Sequence, residues 1–250
     1  MAIMQKIVPF ENMVFKATQN ENVTLYVTEF LNTEYALELR WAPGEKIMKT
    51  RQGEIKLQGH MPILRIRFGI APEQSSMNEF GYQRLDFRAQ KQFNLQGLGK
   101  LSATLVAGAV NKALPLSLLY NARGAFRNFA PLSSETFHTM RTNEFQHNQF
   151  TSLFVRHDFK SLHFGPKGFA IQPAIKGSFI VGKAPEKMRY EFNQIAAEKG
   201  FFETGIEINQ LIQSGSMALG LGVSYRMGRY SLERKSENFA YLLTLTSLLQ

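Results

Sequence analysis

The 250-residue sequence contains no cysteine. It can therefore form no disulfide bond, and it offers no thiolate as a metal ligand or nucleophile. It also lacks an apolar run near the ~20 residues that a transmembrane helix needs. Its first residues, MAIMQKIVPFENMVF, form no signal peptide, because polar residues interrupt the apolar ones. Taken alone, these absences favour a cytoplasmic protein, but a sequence whose natural N-terminus is missing would look the same.

Helical periodicity is nearly absent as well. The best helix candidate is MRYEFNQIAAEKG, residues 188–200, which is short and mostly polar. Alternation with a period of two is common instead, and the clearest case is SMALGLGVSYRMG, residues 216–228. Every second residue from Met217 to Tyr225 is apolar, and the residues between them are small or polar. Successive side chains of a strand point to opposite faces, so this pattern predicts a β-strand with one apolar face.

The same alternation recurs along the chain. Six further segments show it clearly: 35–42, 63–70, 83–90, 100–109, 202–209 and 238–249. Three weaker candidates are 23–30, 149–159 and 170–181. Roughly ten strands of about 8–12 residues, separated by turn or loop signals, predict an all-β antiparallel fold. No linker, low-complexity tract or repeat divides the chain, so residues 1–250 are interpreted as a single domain.

The apolar faces of these strands allow two interpretations. In a soluble β-sandwich or lipocalin-like binding module, they would form the core. In a transmembrane barrel, they would face lipid. The second interpretation is favoured by small polar faces rich in Gly, Ala, Ser and Thr, and by aromatic residues near strand ends. Strand lengths of about 9–11 residues also match a tilted crossing of the hydrocarbon layer.

The connections between strands are uneven. Residues 94–99 and 213–215 are short turns, whereas 122–143, 182–200 and 229–237 are longer loops that the strand order would place on the other side. Short turns on one side and long loops on the other are typical of transmembrane barrels. Residues 43–61 would then be a long connection on the short-turn side. Either this segment contains an extra hairpin, with GEIKLQG as its candidate, or the count of about ten strands is wrong by an even number.

Several stretches resemble a known family. The last segment, NFAYLLTLTSLLQ, looks like an outer-membrane β-signal, although it ends in Leu-Gln rather than in an aromatic residue. The others are LELRWAPGEK, HMPILRIRFGI, ALPLSLLYNARG, TFHTMRTNEFQHNQFTSLFVRHDF, FFETGIEINQL and GLGVSYRMG. Together they resemble, in order, the C-terminal barrel region of an uncharacterised Bacteroidota outer-membrane protein family. Members of that family carry an N-terminal carboxypeptidase-regulatory-like domain.

The resemblance implies an antiparallel transmembrane β-barrel of about ten or more strands, forming the C-terminal part of a larger barrel. The single domain at 1–250 would then be incomplete at its N-terminus. The implied location is the outer membrane, with roles in envelope transport, assembly or surface anchoring. The expected partners are outer-membrane lipid and other envelope proteins. The family carries no established catalytic residues, so we expect no enzymatic activity and no cofactor.

Charged residues on the small or polar faces of the strands are the candidate functional residues. We expect them to face the interior of the barrel. They are Glu38, Arg40, Arg65, Arg67, Arg84, Asp86, Arg88, Glu203 and Glu207. They could line a conduit, or they could pair with each other across neighbouring strands and fill the interior. The second role is favoured, because an unpaired interior charge is costly.

Other functional signals are weak. The formal net charge is +9, but Lys and Arg are spread along the chain rather than clustered, so nucleic acid is not an expected partner. His157 and Asp158 would point to opposite faces of a strand, which argues against joint metal ligation. No nucleophile elbow, P-loop or H-E-x-x-H motif is present. The glycines of LGLG, residues 219–222, lie within a strand, where they would permit bending or close approach of packed groups.

Overall fold

The computed structural model describes residues 2–7, 15–20, 23–27, 30–50, 53–57, 59, 61–73, 81–126, 135–164, 169–184, 196–214 and 217–247. The strands in these ranges are β1 (Ala2–Ile7), β2 (Phe15–Asn20), β3 (Val23–Val27), β4 (Phe30–Trp41), β5 (Lys46–Thr50), β6 (Gly53–Leu57), β7 (Ile63–Ala71), β8 (Tyr82–Leu95), β9 (Gly99–Val110), β10 (Tyr120–Asn121), β11 (Gln146–His147), β12 (Gln149–Asp158), β13 (Leu162–Phe164), β14 (Phe169–Lys183), β15 (Phe201–Ser214), β16 (Met217–Met227) and β17 (Phe239–Ser247). Three short 3₁₀ helices lie at Leu116–Leu118, Gly228–Tyr230 and Lys235–Asn238.

The prediction of an all-β antiparallel fold is confirmed. Each alternating segment found in the sequence contributes a strand, including the three weaker candidates, which become β3, β12 and β14. The helix candidate at 188–200 lies mostly outside the described residues, and its described end, 196–200, contains a turn. No helix in the described ranges is long and apolar enough to span a membrane.

Eleven strands form one large sheet. Its order is β1-β4-β7-β8-β9-β12-β14-β15-β16-β17, with β13 paired to β14 beside this path. Every pairing between neighbouring strands is antiparallel. The chain therefore runs up and down through neighbouring strands. In the described part of the chain β1 and β17 are the two edges of an open sheet.

Three two-stranded sheets interrupt this meander. They are β2–β3, β5–β6 and β10–β11, and each lies in a connection between strands of the large sheet. The hairpin β5–β6 pairs Lys46 with Leu57 and Thr50 with Gly53. It confirms that the segment 43–61 contains an extra hairpin formed around GEIKLQG.

The strand order places the connections as the sequence predicts. The connections at 111–148, 184–200 and 228–238 all leave the sheet at one end. The tight β8–β9 and β15–β16 connections lie at the opposite end. Between β8 and β9 the chain reverses over three residues, with Gly97 at φ +85° and Gly99 at φ +113°. Only glycine adopts these dihedral angles without strain, which explains the QGLG sequence of this turn.

The two faces of the sheet differ in polarity and in burial. On β15, Glu203 and Glu207 are 2% and 4% exposed, whereas Ile206 and Ile208 are 58% and 40% exposed. The same alternation of burial recurs on β14, β16 and β17, whereas residues 37–40 of β4 are all exposed. We call the side that carries Glu203 and Glu207 the charged face and the opposite side the apolar face. Large exposed side chains of the apolar face include Leu37, Leu39, Trp41, Ile66, Phe68, Ile70, Leu85, Ile175, Leu221, Tyr241, Leu243 and Leu245.

Two strand glycines provide a matched test of this difference between the faces. A methyl group on Gly220 would overlap the backbone oxygen of Ile208 and the hydroxyl of Thr244 on the charged face. A methyl group on Gly177, on the apolar face, would meet no atom within 4 Å. We expect Gly220→Ala to lower the free energy of unfolding by about 1–3 kcal/mol through overpacking. Gly177→Ala should leave it unchanged or raise it slightly. Equal effects in denaturant titrations of the two variants would contradict the assignment of faces.

Candidate functional site

The register places all nine predicted charges on the charged face. Residues directly opposite each other in an antiparallel pair share one side of the sheet. Glu38 lies opposite Arg67, Arg67 opposite Asp86, and Arg40 opposite Arg65. The remaining registers join Arg65 to Arg88, Arg84 to Gly69, Glu203 to Arg226, and Glu207 to Gly222.

Strands β4, β7 and β8 bring seven of these charges together, and β15 holds the other two. The first group surrounds a cavity of about 430 Å³, which all of its members except Arg40 line. Glu203 and Glu207 lie beyond this cavity, beside Lys176 and Arg156. The nine residues therefore form two separate clusters on the same face.

The described parts of the long β9–β12 connection, residues 111–126 and 135–148, fold onto the charged face. Near β12, β14 and β15, Phe137, Met140 and Phe145 pack against the sheet residues Phe154 and Phe201. The ring of Phe137 lies 5.0 Å from that of Phe154 and 5.5 Å from that of Phe201. Near β8 and β9, Leu114, Leu118 and Leu119 pack with Ala71, Tyr82 and Val110. The apolar residues of the connection are thus buried between it and the sheet, which stabilises its folded position.

The side chain of Glu203 binds the backbone of the connection. Its carboxylate accepts hydrogen bonds from the backbone N–H of His138 at 3.0 Å and of Thr139 at 2.6 Å. It also accepts one from the Thr139 hydroxyl at 2.7 Å. Lys176 donates to His138 Nδ1 and lies 3.8 Å from the Glu203 carboxylate. Two backbone donors that would otherwise be buried and unpaired are satisfied by one side chain of the sheet.

Ion pairs attach the connection at two further points. Arg226 on β16 donates to Glu144 at 2.6 Å, and its guanidinium stacks 4.8 Å from the Phe201 ring. Arg88 on β8 donates to Glu135, which also accepts from Arg123 at 3.2 Å. The Arg226–Glu144 and Arg88–Glu135 pairs each join an arginine of the sheet to a carboxylate of the connection. The connection therefore supplies carboxylates to the charged face.

Tyr120 makes a further contact between the connection and β8. Its hydroxyl donates to Asp86 at 2.5 Å, and the Arg84 guanidinium lies 4.9 Å from its ring centre. Burial and the hydrogen bond to Asp86 raise the pKa of Tyr120 well above its usual value, so it stays a protonated donor. Gly108 on β9 leaves room for this ring, because a methyl group there would meet it within 3 Å.

His147 lies at the end of the connection, just before β12. Its ring is fully buried, and Nε2 accepts the backbone N–H of Ala197 at 3.0 Å. Burial lowers the pKa of His147 to about 4, so the imidazole is neutral at physiological pH. It therefore joins the connection to the 184–200 loop as a neutral hydrogen-bond acceptor rather than as a charge.

The second cluster is an ion network within the sheet. Arg156 on β12 donates to Glu207 at 2.6 Å and to Asp158 at 2.9 Å. Lys176 on β14 lies 3.8 Å from both Glu203 and Glu207. Two cations thus face three carboxylates on three adjacent strands. Such a network keeps each buried charge compensated.

The cavity beside the first cluster is lined by two kinds of side chain. The charged ones are Arg65, Arg67, Arg84, Arg88 and Arg123, with the carboxylates of Glu38, Asp86 and Glu135 among them. The aromatic ones include Tyr120, Phe137, Phe150 and Phe154. The arrangement combines charge-assisted donors with an apolar surface, as small-molecule sites commonly do. Within the described residues no group of three or more His, Asp or Glu side chains could hold a metal ion.

The pairing expected from the sequence differs from the pairing observed. None of the nine predicted charges forms an ion pair with another of the nine in the described part of the chain. Their partners are instead residues that the sequence analysis did not select, namely Glu34, Glu45, Glu135, Arg156 and Lys176. Arg226, which pairs with Glu144, could have been selected from the sequence as a residue of the charged face, because it lies on the polar positions of the strand at 216–228. Glu135 lies in a connection, where no periodicity marks which side chains point towards the sheet.

These features define an all-β protein whose sheet carries a charged face covered by its own longest described connection. Residues 16–162 match the model of a family of unknown function (DUF5686), C-terminal domain. The match covers more than half of the chain, which therefore belongs to this family. It confirms the resemblance to the C-terminal region of an uncharacterised family, whereas the Bacteroidota origin and the N-terminal domain stay predictions. No curated protein and no solved structure shows significant similarity to the chain.

We expect Glu203→Gln to loosen the connection. The amide keeps one acceptor oxygen but turns a donor towards backbone N–H groups, which leaves buried polar groups unpaired at about 1–3 kcal/mol each. Limited proteolysis should cut the variant within 111–148 faster than the unchanged protein. Denaturant unfolding should show a lower free energy. Exposed Glu233, changed to Gln, is the matched control and should alter neither value. Unchanged proteolysis of Glu203→Gln would show that this carboxylate does not hold the connection.

Proposed function

We propose that this chain forms the membrane-spanning sheet of an outer-membrane β-barrel protein whose interior is filled by the β9–β12 connection. Its role would lie in envelope transport, assembly or surface anchoring, without enzymatic activity. The observation that carries the proposal is the reversed polarity of the sheet. Lys176, Glu203, Glu207 and Arg226 lie buried on the charged face, and large apolar side chains lie exposed on the other face.

A protein in water would bear a high cost for this arrangement. Exposed apolar surface costs about 25 cal/mol per Å², and soluble monomers rarely expose contiguous apolar patches larger than a few hundred Å². The apolar face carries exposed large side chains on most strands from β4 to β17. In a soluble sandwich or lipocalin-like module these side chains would form the core. Their exposure supports lipid as the surrounding medium.

The dimensions of the sheet also support a membrane location. On β15 the exposed side chains extend from Phe202 to Ile212. At about 3.3 Å per residue and a tilt near 40°, this stretch covers about 25 Å along the membrane normal. That is the height of the apolar band on known transmembrane barrels. Trp41 lies exposed near one end of the sheet and Phe239 near the other, where aromatic belts occur.

A barrel in lipid has no open edge, because unpaired backbone groups are too costly there. The proposal therefore requires that β1 and β17 pair, either with each other or with further strands. It also requires that any transported species displace the β9–β12 connection or pass beside it. Glu203, Arg226 and Arg88 would hold that connection in place.

One substitution on the apolar face distinguishes lipid from water. Ile206, 58% exposed on β15, would lie in the hydrocarbon layer, where a lysine costs about 2–4 kcal/mol near the midplane. We expect Ile206→Lys to reduce the heat-modifiable, protease-resistant form in the membrane fraction. Leu98→Lys is the matched control, because Leu98 is 62% exposed but lies in the β8–β9 turn. The control should insert normally.

A protein whose apolar face meets water would respond differently to these lysine substitutions. In water, replacing an exposed isoleucine with lysine changes stability by less than about 0.5 kcal/mol. If both lysine variants behave like the unchanged protein and all three stay soluble without detergent, the membrane proposal is wrong.

A further inference from the structure

Three arginines form a row across three adjacent strands. Arg40 on β4, Arg65 on β7 and Arg88 on β8 lie directly opposite one another on the charged face. Like charges in this arrangement repel each other and destabilise a sheet. The outer two are compensated, since Arg40 binds Glu45 at 2.6 and 3.0 Å and Arg88 binds Glu135. Arg65 has neither an ion pair nor a hydrogen bond from its side chain in the described part of the chain.

The neighbouring charges do not remove this excess. Glu38 and Asp86 flank Arg67, the next residue of β7 on the charged face. Both neighbours of Arg65 in the register are arginines. The positive charge is therefore concentrated at Arg65, an exposed side chain that lines the 430 Å³ cavity.

We propose that this cavity binds a small organic oxyanion, with Arg65 as the principal anion-binding residue. The ligand would carry a phosphate or carboxylate group on a ring or chain. Guanidinium groups match the oxygens of phosphate and carboxylate in geometry and charge. The aromatic lining residues Phe137, Phe150 and Phe154 would contact the uncharged body of the ligand. A volume of this size lies within the range of small-molecule sites.

The molecule already holds one oxyanion by the same chemistry. The Glu135 carboxylate is bound by Arg88 and by Arg123, with Gln90 at 3.3 Å. Glu135 lines the same cavity as Arg65, which has no ion-pair partner in the described part of the chain. A ligand oxyanion between Arg65 and Arg67 would complete the compensation that Glu135 provides for Arg88.

A binding role and a structural role for Arg65 predict opposite changes in stability. If Arg65 held the sheet together, its removal would lower the thermal midpoint of unfolding. If it is kept for binding, removing a repelling charge should raise the midpoint of the ligand-free protein by about 1–2 °C. Arg65→Gln keeps a polar side chain of similar length and removes only the charge and the guanidinium fork. Arg229→Gln, an exposed arginine remote from the cavity, is the matched control.

The binding experiment uses the full chain in detergent solution, so it does not depend on the membrane location. The probes are glucose 6-phosphate, uncharged glucose and phosphatidylglycerol, each followed by calorimetry with the unchanged protein, Arg65→Gln and Arg229→Gln. We expect one phosphate-bearing probe to bind, glucose not to bind, and Arg65→Gln to weaken binding by roughly 10- to 100-fold. Arg229→Gln should bind normally.

Binding of glucose 6-phosphate would identify a free phosphorylated ligand. Binding of phosphatidylglycerol would identify a lipid headgroup. Either result supports the site if the binding depends on Arg65. Equal affinities of the unchanged protein and Arg65→Gln, or no binding of either phosphate probe, would overturn the proposal. A lower thermal midpoint of Arg65→Gln without ligand would also overturn it, because Arg65 would then have a structural role.

Discussion

Compensation of buried charge is the constraint on which this structure depends. Lys176, Glu203, Glu207 and Arg226 are each less than 10% exposed on the charged face. A buried charge without a partner costs several kcal/mol, so a sheet of this kind is stable only if something neutralises that face. The network of Arg156, Lys176 and Glu207 does so within the sheet. Glu34 on β4 pairs with Arg67 and Arg84, and the β9–β12 connection provides partners for Arg88 and Arg226.

The residues of the connection match this need for partners of buried charge. It brings carboxylates at Glu135 and Glu144 to arginines of the sheet, and backbone donors at His138 and Thr139 to a glutamate of the sheet. Its aromatic and aliphatic residues fill the space between these contacts. Glycines on the charged face, such as Gly108, make room where its rings approach the strands. The arginine row around Arg65 is different, because Arg40 and Arg65 are exposed and Arg65 has no ion-pair partner among the described residues, which is why a ligand is proposed there.

The sequence predicted the strands and their faces well, because alternation with a period of two is a local property. It identified β15 and β16 from FETGIEIN and MALGLGVSY, and the hairpin within 43–61 from an inconsistency in the count of strands. It did not predict the partners of the charges. The contact between Glu203 and the backbone of His138 joins residues 65 positions apart and leaves no periodic signal. Closure into a barrel, the outer-membrane location and the incomplete N-terminus stay predictions.

The most direct test of the central claim, that the apolar face meets lipid and the charged face is enclosed, is site-directed fluorescence quenching. The chain has no cysteine, so single cysteines can be introduced and labelled without background. Labels at Leu219 and Leu221 on the apolar face, and at Ala218 and Ser224 on the charged face, would be compared in lipid bilayers that contain a brominated lipid. The account predicts strong quenching at the first pair and weak quenching at the second. Weak quenching at Leu219 and Leu221, with rapid labelling by a water-soluble maleimide, would contradict it.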